Sequence, residues 1–141
     1  MSIGKFFEKL FGLDQLEFDK IVIKKEVIIS IIDFARANYP REFIAFLQGT
    51  TKQRILTVTN LIYQPYDSSI KQASTKSFFN FASNIVGSVH SHPSINSRPS
   101  NTDLQSFSKR GVVHLIIDYP YRIQDIKAYD FKGNRISFII N

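Results

Sequence analysis

Residues 87–103 read GSVHSHPSINSRPSNTD, and the interpretation of the whole chain depends on them. The apolar run that leads into the two histidines, Asn84–Val89, is typical of a β-strand. Residues two apart on a strand point to the same face, so His90 and His92 should project together while Ser91 points to the other side. Pro93 cannot donate to a sheet ladder and is expected to end the strand there.

The second part of this stretch predicts an acidic side chain at the start of a helix. The helix is expected from about Asn101 to Arg110, with Gly111 as its C-terminal cap. Two imidazoles and the carboxylate of Asp103 would supply three protein ligands to zinc, and a zinc ion with three protein ligands keeps a fourth position open for water. The pattern therefore indicates a catalytic metal site rather than a structural one.

Each half of the pattern also has a simpler interpretation. The two histidines can be polar side chains that merely share a face, and the segment from Ser100 to Asp103 is also a capping box, in which serine and acid each bond the other's backbone. The combination of both halves, joined by a loop long enough to fold back, favours the metal site. A third histidine, His114, lies in an apolar run and is interpreted as a core residue instead of a ligand.

The length and composition of the chain limit the alternatives. With 141 residues, 43% of them hydrophobic, the chain is predicted to form a single globular domain over residues 1–141. No apolar run approaches the length of a membrane-spanning helix and no signal peptide is recognisable, so a cytoplasmic protein is expected. The chain has no cysteine, so zinc would need nitrogen and oxygen ligands, and the zinc deaminase signature, which requires cysteine, is excluded.

The charge of the chain is basic but dispersed. Eighteen Lys and Arg against twelve Asp and Glu give a formal charge of +6, spread along the sequence. A solvated basic surface is favoured over an acidic partner, since neither a run of Lys and Arg nor a recognised nucleic-acid motif is present. No nucleic-acid partner is therefore expected.

Residues 1–13 form a separate amphipathic segment. Apolar residues recur there at helical spacing, which predicts a helix whose polar face carries a charge of only +1, and the apolar stripe consists of Ile3, Phe6, Phe7, Leu10 and Phe11. A membrane-surface helix would have a richer basic face. Packing on the protein's own core or at a homodimer contact is therefore favoured over membrane contact.

The remaining periodicity predicts an α/β domain with one mostly buried sheet flanked by helices. A helix is expected over Lys24–Asn38 and a hairpin over Ile126–Phe131 and Arg135–Ile140. Other strands are expected at Leu16–Ile23, Glu42–Gly49, Arg54–Tyr63, Phe78–Phe81 and Val112–Asp118. Glu42 opens its strand, where burial would raise the pKa of its carboxyl, and the alternative is an exposed acid at a strand end.

A family resemblance emerges from these residues. The run from His90 to Pro93, seven residues from Pro93 to Pro99 and then Ser100-x-x-Asp103 resemble the JAMM motif of the MPN+ zinc metalloproteases, in their single-domain archaeal or bacterial JAB/MPN form. Gly87 and an upstream glutamate before an apolar strand, here Glu42, are similar to the same family. One departure is Ala45, where the family usually has glycine.

The resemblance implies both a fold and a set of residue roles. The fold would be a single mixed β-sheet flanked by helices, the JAB/MPN or cytidine-deaminase-like fold. His90, His92 and Asp103 would bind Zn²⁺, Glu42 would be the general acid and base, and Ser100 would help to hold the oxyanion.

The resemblance also implies a reaction and a substrate. The protein would be a zinc metallopeptidase, resembling deubiquitinases, that hydrolyses isopeptide or peptide bonds after the C-terminus of a ubiquitin-like or sulfur-carrier protein. Two alternatives belong to other classes: a non-catalytic MPN scaffold, and a DNA-associated JAMM-like protein. Replacing Glu42 with glutamine separates the first alternative from an enzyme, because a scaffold should not be affected.

Overall fold

The computed structural model describes residues 18–63, 84–95, 98–107 and 111–141. The predicted N-terminal helix over residues 1–13 and the predicted strand over residues 78–81 lie outside these ranges. The last three residues of the predicted helix at 101–110 also lie outside them.

The described residues contain eight strands and two α-helices in a mixed order. In chain order they are β1 (Lys20–Ile23), α1 (Lys25–Asn38), β2 (Ile44–Lys52), β3 (Ile55–Ile62), β4 (Ile85–His92), α2 (Asn101–Phe107), β5 (Val113–Asp118), a 3-10 turn (Ile123–Asp125), β6 (Ile126–Tyr129), β7 (Arg135–Ile136) and β8 (Ile139–Ile140). Strand β4 ends at His92, directly before Pro93, as the sequence predicts.

All eight strands form one mixed sheet in the order β7-β6-β5-β4-β2-β3-β1-β8. Strand β4 lies near the middle, parallel to β5 and antiparallel to β2. Gly87 is needed there because a Cβ atom at this position would lie 1.5 Å from the carbonyl oxygen of Val113 on β5. A side chain at Gly87 would therefore force the two central strands apart.

The predicted C-terminal hairpin is wrong in its second strand. Residues Arg135–Ile136 do pair antiparallel with β6, but Ile139–Ile140 pair parallel with β1 at the opposite edge of the sheet. The chain end is fixed there by two backbone bonds, from the Asn141 N–H to the Ile23 oxygen and from the Lys25 N–H to the Asn141 oxygen, both 3.0 Å. Period-two alternation predicts an extended segment without stating which strand it joins, because pairing partners are set by tertiary contacts.

Helix α1 covers one face of the sheet with an apolar stripe. Its buried residues, spaced for one helical face, are Val27, Ile28, Ile31 and Ala35. They join the main core, where Leu47, Val58, Val89 and Leu115 are fully buried. Each such side chain of valine or leucine size contributes about 1.5–3 kcal/mol through burial. Within the described residues, no helix is both long and apolar enough to cross a bilayer.

Candidate metal centre

The face of the sheet opposite α1 carries the two histidines and the acid predicted from the sequence. His90 Nδ1 lies 3.0 Å from Asp103 Oδ1, and His92 Nε2 lies 3.2 Å from Asp103 Oδ2. His90 and Asp103 are buried, and His92 is partly buried. The first turn of α2 therefore places one carboxylate against both imidazoles, which are two residues apart on β4.

Asp103 is fixed by the capping box as well as by the histidines. The Ser100 N–H donates to Asp103 Oδ2 at 2.8 Å, and the Asp103 N–H donates to Ser100 Oγ at 3.0 Å. The two interpretations of this segment are thus compatible, because the cap orients the same carboxylate that meets the imidazoles. Burial alone would raise the pKa of the Asp103 carboxyl, but hydrogen bonds from His90, His92 and the Ser100 backbone hold it well below its ordinary value.

A second acid, Asp118, contacts His92 from the other side. It ends β5 in register with His92, is 3% exposed, and places Oδ1 3.6 Å from His92 Nδ1. The hydrogen bond to Asp103 is the largest influence on the pKa of His92, and it raises that pKa, with smaller contributions from Glu42 and Asp118. Asp118 was not among the predicted site residues, although an acid that closes the apolar run Val113–Ile117 was an available signal.

Helix α2 is anchored on the sheet through an aromatic stack. The Phe107 ring lies 4.3 Å from the His114 ring at an interplanar angle of 10°, and it meets the His90 ring edge-on at 6.1 Å. His114 is fully buried, with Nδ1 2.8 Å from Ser88 Oγ and Nε2 3.1 Å from the Gly111 oxygen. Burial lowers the pKa of His114 to about 4. A neutral histidine therefore supports the helix that carries Asp103.

Glu42 lies beside this cluster and is exposed, which agrees with the second of the two interpretations that the sequence left open, an exposed acid at a strand end. Strand β2 begins only at Ile44, which is in register with His90. The Ser91 N–H donates to the Phe43 oxygen at 3.0 Å, so the pairing continues one residue further. Residue 42 therefore follows on the same face as Ile44 and opposite His92.

Ser100 is exposed directly before α2, and its backbone N–H donates to the Asp103 carboxylate. Its hydroxyl oxygen accepts the Asp103 N–H bond, and a hydroxyl that accepts one bond keeps its own hydrogen for donation. The structure thus brings His90, His92 and Asp103 into contact, with Ser100 and Glu42 at the margin of the same cluster.

The chemistry of these donors suits zinc, although the side chains now bond one another. Across the described ranges, no three His, Asp or Glu groups surround a shared centre as an assembled metal cage would. Instead, the imidazole nitrogens contact the carboxylate directly. Imidazole nitrogen and carboxylate oxygen are nevertheless zinc donors. Binding would require both rings to be neutral and to turn a lone pair towards the ion.

A family model and a curated relative both match most of this region. The model described as prokaryotic homologs of the JAB domain matches residues 24–132. A protein of Haloferax volcanii, named a probable metalloprotease, is 30% identical over 118 residues, which cover 72% of this chain and 70% of that protein.

Solved structures agree with these matches. A JAB1/MPN domain protein from Archaeoglobus fulgidus is 31% identical, with a TM-score of 0.64 over 84% of this chain and 96% of that one. A structure described as a metalloprotease-like zinc site in the proteasome and signalosome, named JAMM, is 29% identical, with a TM-score of 0.66 over 87% of this chain and 99% of that one. A Desulfitobacterium hafniense protein shares the fold at 20% identity, with a TM-score of 0.64 over 86% of this chain.

Proposed function

The chain belongs to the family of prokaryotic homologs of the JAB domain, and we propose that it is a zinc-dependent metallopeptidase. Its substrate would be an isopeptide or peptide bond after the C-terminus of a ubiquitin-like or sulfur-carrier protein. The observation that carries the proposal is the contact of one carboxylate, Asp103, with both imidazoles at 3.0 and 3.2 Å. Donors that lie 13 and 11 residues apart along the chain, on a strand and on a helix, meet there at one point.

His90, His92 and Asp103 would hold the zinc ion. When bound, zinc supplies Lewis acidity, which lowers the pKa of a water molecule towards about 7 and polarises a carbonyl group. The low pKa of the Asp103 carboxyl keeps it ionised, as a ligand must be. Asp118, in contact with His92 Nδ1, would orient that ring so that Nε2 faces the metal position.

Glu42 and Ser100 would act on the substrate. The Glu42 carboxylate would take a proton from the attacking water and deliver it to the leaving amine, a role suited to an exposed acid opposite His92. The Ser100 hydroxyl would donate to the developing oxyanion, and one donor of this kind contributes about 3 kcal/mol.

The substrate class is supported by the family resemblance and by the surroundings of the site. Ile44 is 47% exposed and is in register with His90. It offers an apolar contact beside the histidines for an extended substrate tail. An extended tail can reach this position without unfolding its own domain.

The test combines metal analysis with cleavage of defined substrates. Purified protein is assayed for zinc and then incubated with a ubiquitin-like protein fused to a C-terminal peptide and, separately, joined to a lysine side chain. We expect cleavage after the modifier's last residue, loss of cleavage on chelation and recovery with zinc. Zinc-loaded protein that leaves both substrates intact would contradict the proposed reaction, and protein that takes up no zinc would contradict the metal site.

A further inference from the structure

The residue between the two histidines has a role of its own at this site. We propose that Ser91 is a positioning residue that holds Glu42 opposite His92. The proposal rests on the proposed function, because it concerns how the general base of that reaction is placed. The sequence predicts only that Ser91 points away from the histidine face.

Two short hydrogen bonds connect Ser91 to Phe43, the residue next to Glu42. The Ser91 N–H donates to the Phe43 oxygen at 3.0 Å, and the Phe43 N–H donates to Ser91 Oγ at 2.8 Å. A regular hydrogen-bonded pair of antiparallel residues exchanges two backbone bonds. Here the serine hydroxyl takes the place of the backbone carbonyl as the second acceptor. One side chain thus extends the pairing between the chain before β2 and strand β4.

This extension decides where Glu42 lies. The backbone ladder between β2 and β4 ends at the pair Ile44 and His90. The Phe43–Ser91 bonds add one more pair to this ladder. The following pair of opposite residues is then Glu42 and His92. Because the Glu42 side chain is exposed, its position depends on the backbone that carries it. Without the second bond, that backbone would be held to the sheet only by the bond from the Ser91 N–H and by the packing of the Phe43 side chain.

Burial makes the contact strong and hard to replace. Ser91 is 0% exposed and Phe43 is 2% exposed, with the Phe43 ring 6.1 Å from that of Phe34 on helix α1. A buried N–H that loses its acceptor is costly, and water cannot readily take over that role. A serine with a purely structural role would also accept from the Phe43 N–H, but it would not affect the reaction. Kinetic measurements are therefore needed to distinguish a structural role from the positioning of Glu42.

The test compares Ser91→Ala with Ser88→Ala, which removes another buried hydroxyl from the same strand. Ser91→Ala should lower kcat by about ten- to a hundredfold, because a misplaced catalytic group has effects of this size. KM and zinc content should be unchanged. The Phe43 amide should exchange faster with solvent in Ser91→Ala and at the wild-type rate in Ser88→Ala.

A double variant separates positioning from stability. Adding Ser91→Ala to Glu42→Gln should not reduce the residual turnover further, because the group being positioned is already disabled, whereas any loss from Ser88→Ala should multiply with that of Glu42→Gln. Full multiplication for Ser91→Ala, or an unchanged kcat, would overturn the proposal.

Two outcomes need a further variant or readout. If Ser91→Ala does not fold, Ser91→Cys keeps most of the volume with a weak acceptor and should show the same pattern. If wild-type protein has no activity, the proposed function fails, and the amide exchange of Phe43 still decides whether Ser91 fixes this segment.

Discussion

Asp103 and Glu42 are two carboxylates of one candidate site, but Asp103 is 6% exposed and bonded on both oxygens, whereas Glu42 is exposed and precedes its strand. Asp103 is fixed through its own side chain, by two imidazoles and a backbone N–H. Glu42 is held through the backbone of the next residue, Phe43, which bonds to Ser91. The difference matches the proposed roles, because a metal ligand must keep one geometry while a proton carrier must reach water and substrate.

The largest expected effect is that of replacing Asp103, the buried carboxylate, on zinc binding and turnover. Asp103→Asn should abolish stoichiometric zinc binding and reduce turnover to near background, because the amide lacks the charge of the carboxylate and cannot accept from both rings. Metal content after gel filtration, together with cleavage, checks this prediction. Full zinc retention in the variant would show that Asp103 is not a ligand.

Replacing Glu42, the exposed carboxylate, should lower turnover without changing zinc binding. Glu42→Gln should lower kcat by about 10²–10⁴-fold, the usual contribution of a general acid or base. Zinc content should be unchanged, and stability should stay within about 0.5 kcal/mol, as for most surface substitutions. Steady-state kinetics and thermal unfolding measure the two effects. If the variant retains full function, the scaffold alternative is favoured.

The free energy of unfolding should fall at acidic pH because of His114, the buried histidine that packs against the helix carrying Asp103. The pKa of His114 is lowered to about 4 in the folded protein from an ordinary value of 6.5. The unfolded chain therefore binds the proton first, and stability that is present above pH 6.5 is lost as the pH falls towards 4. The loss should reach about 3 kcal/mol, at 1.36 kcal/mol for each pKa unit.

Urea unfolding at pH 7 and pH 5 measures this loss in metal-free protein. His114→Gln is the matched variant, since it removes this titration and leaves the rest of the chain unchanged. The wild type should lose more stability between the two pH values than the variant does. Equal losses would contradict the prediction.

A smaller effect on zinc affinity should come from replacing Asp118, the acid that contacts His92 at Nδ1. Asp118→Asn should weaken zinc affinity by about 10–100-fold, the usual cost of losing a carboxylate that orients a ligating histidine. Chelator competition measures the affinity, with Asp125→Asn as control, because Asp125 pairs with Arg122 instead. Equal affinities in the two variants would show that Asp118 does not orient the ring.

The parts of the site that were predictable from sequence are those set by local geometry. His90 and His92 share a face because strand side chains alternate, and the Ser100–Asp103 cap is a contact between residues three apart. Helix α1 was predictable for the same reason, since its apolar stripe is a local period.

The parts that were missed depend on which strands become neighbours. Asp118 contacts His92 because β5 pairs in parallel with β4, and Ile139–Ile140 join β1 across the sheet. The bond from Phe43 to Ser91 and the placement of Glu42 opposite His92 arise from the ladder between β2 and β4. Sequence periodicity contains no information on these long-range pairings.

The sequence by itself determined the donor types and their local spacing: two imidazoles on one strand face, an acid in a helix cap, and no thiol. Tertiary structure alone decided that the acid closes onto both rings, that a second acid lies behind one of them, and that the glutamate stays exposed opposite it. The physical reason is that side-chain direction follows from backbone period, whereas the meeting of distant segments follows from how the sheet pairs and what its two faces bury.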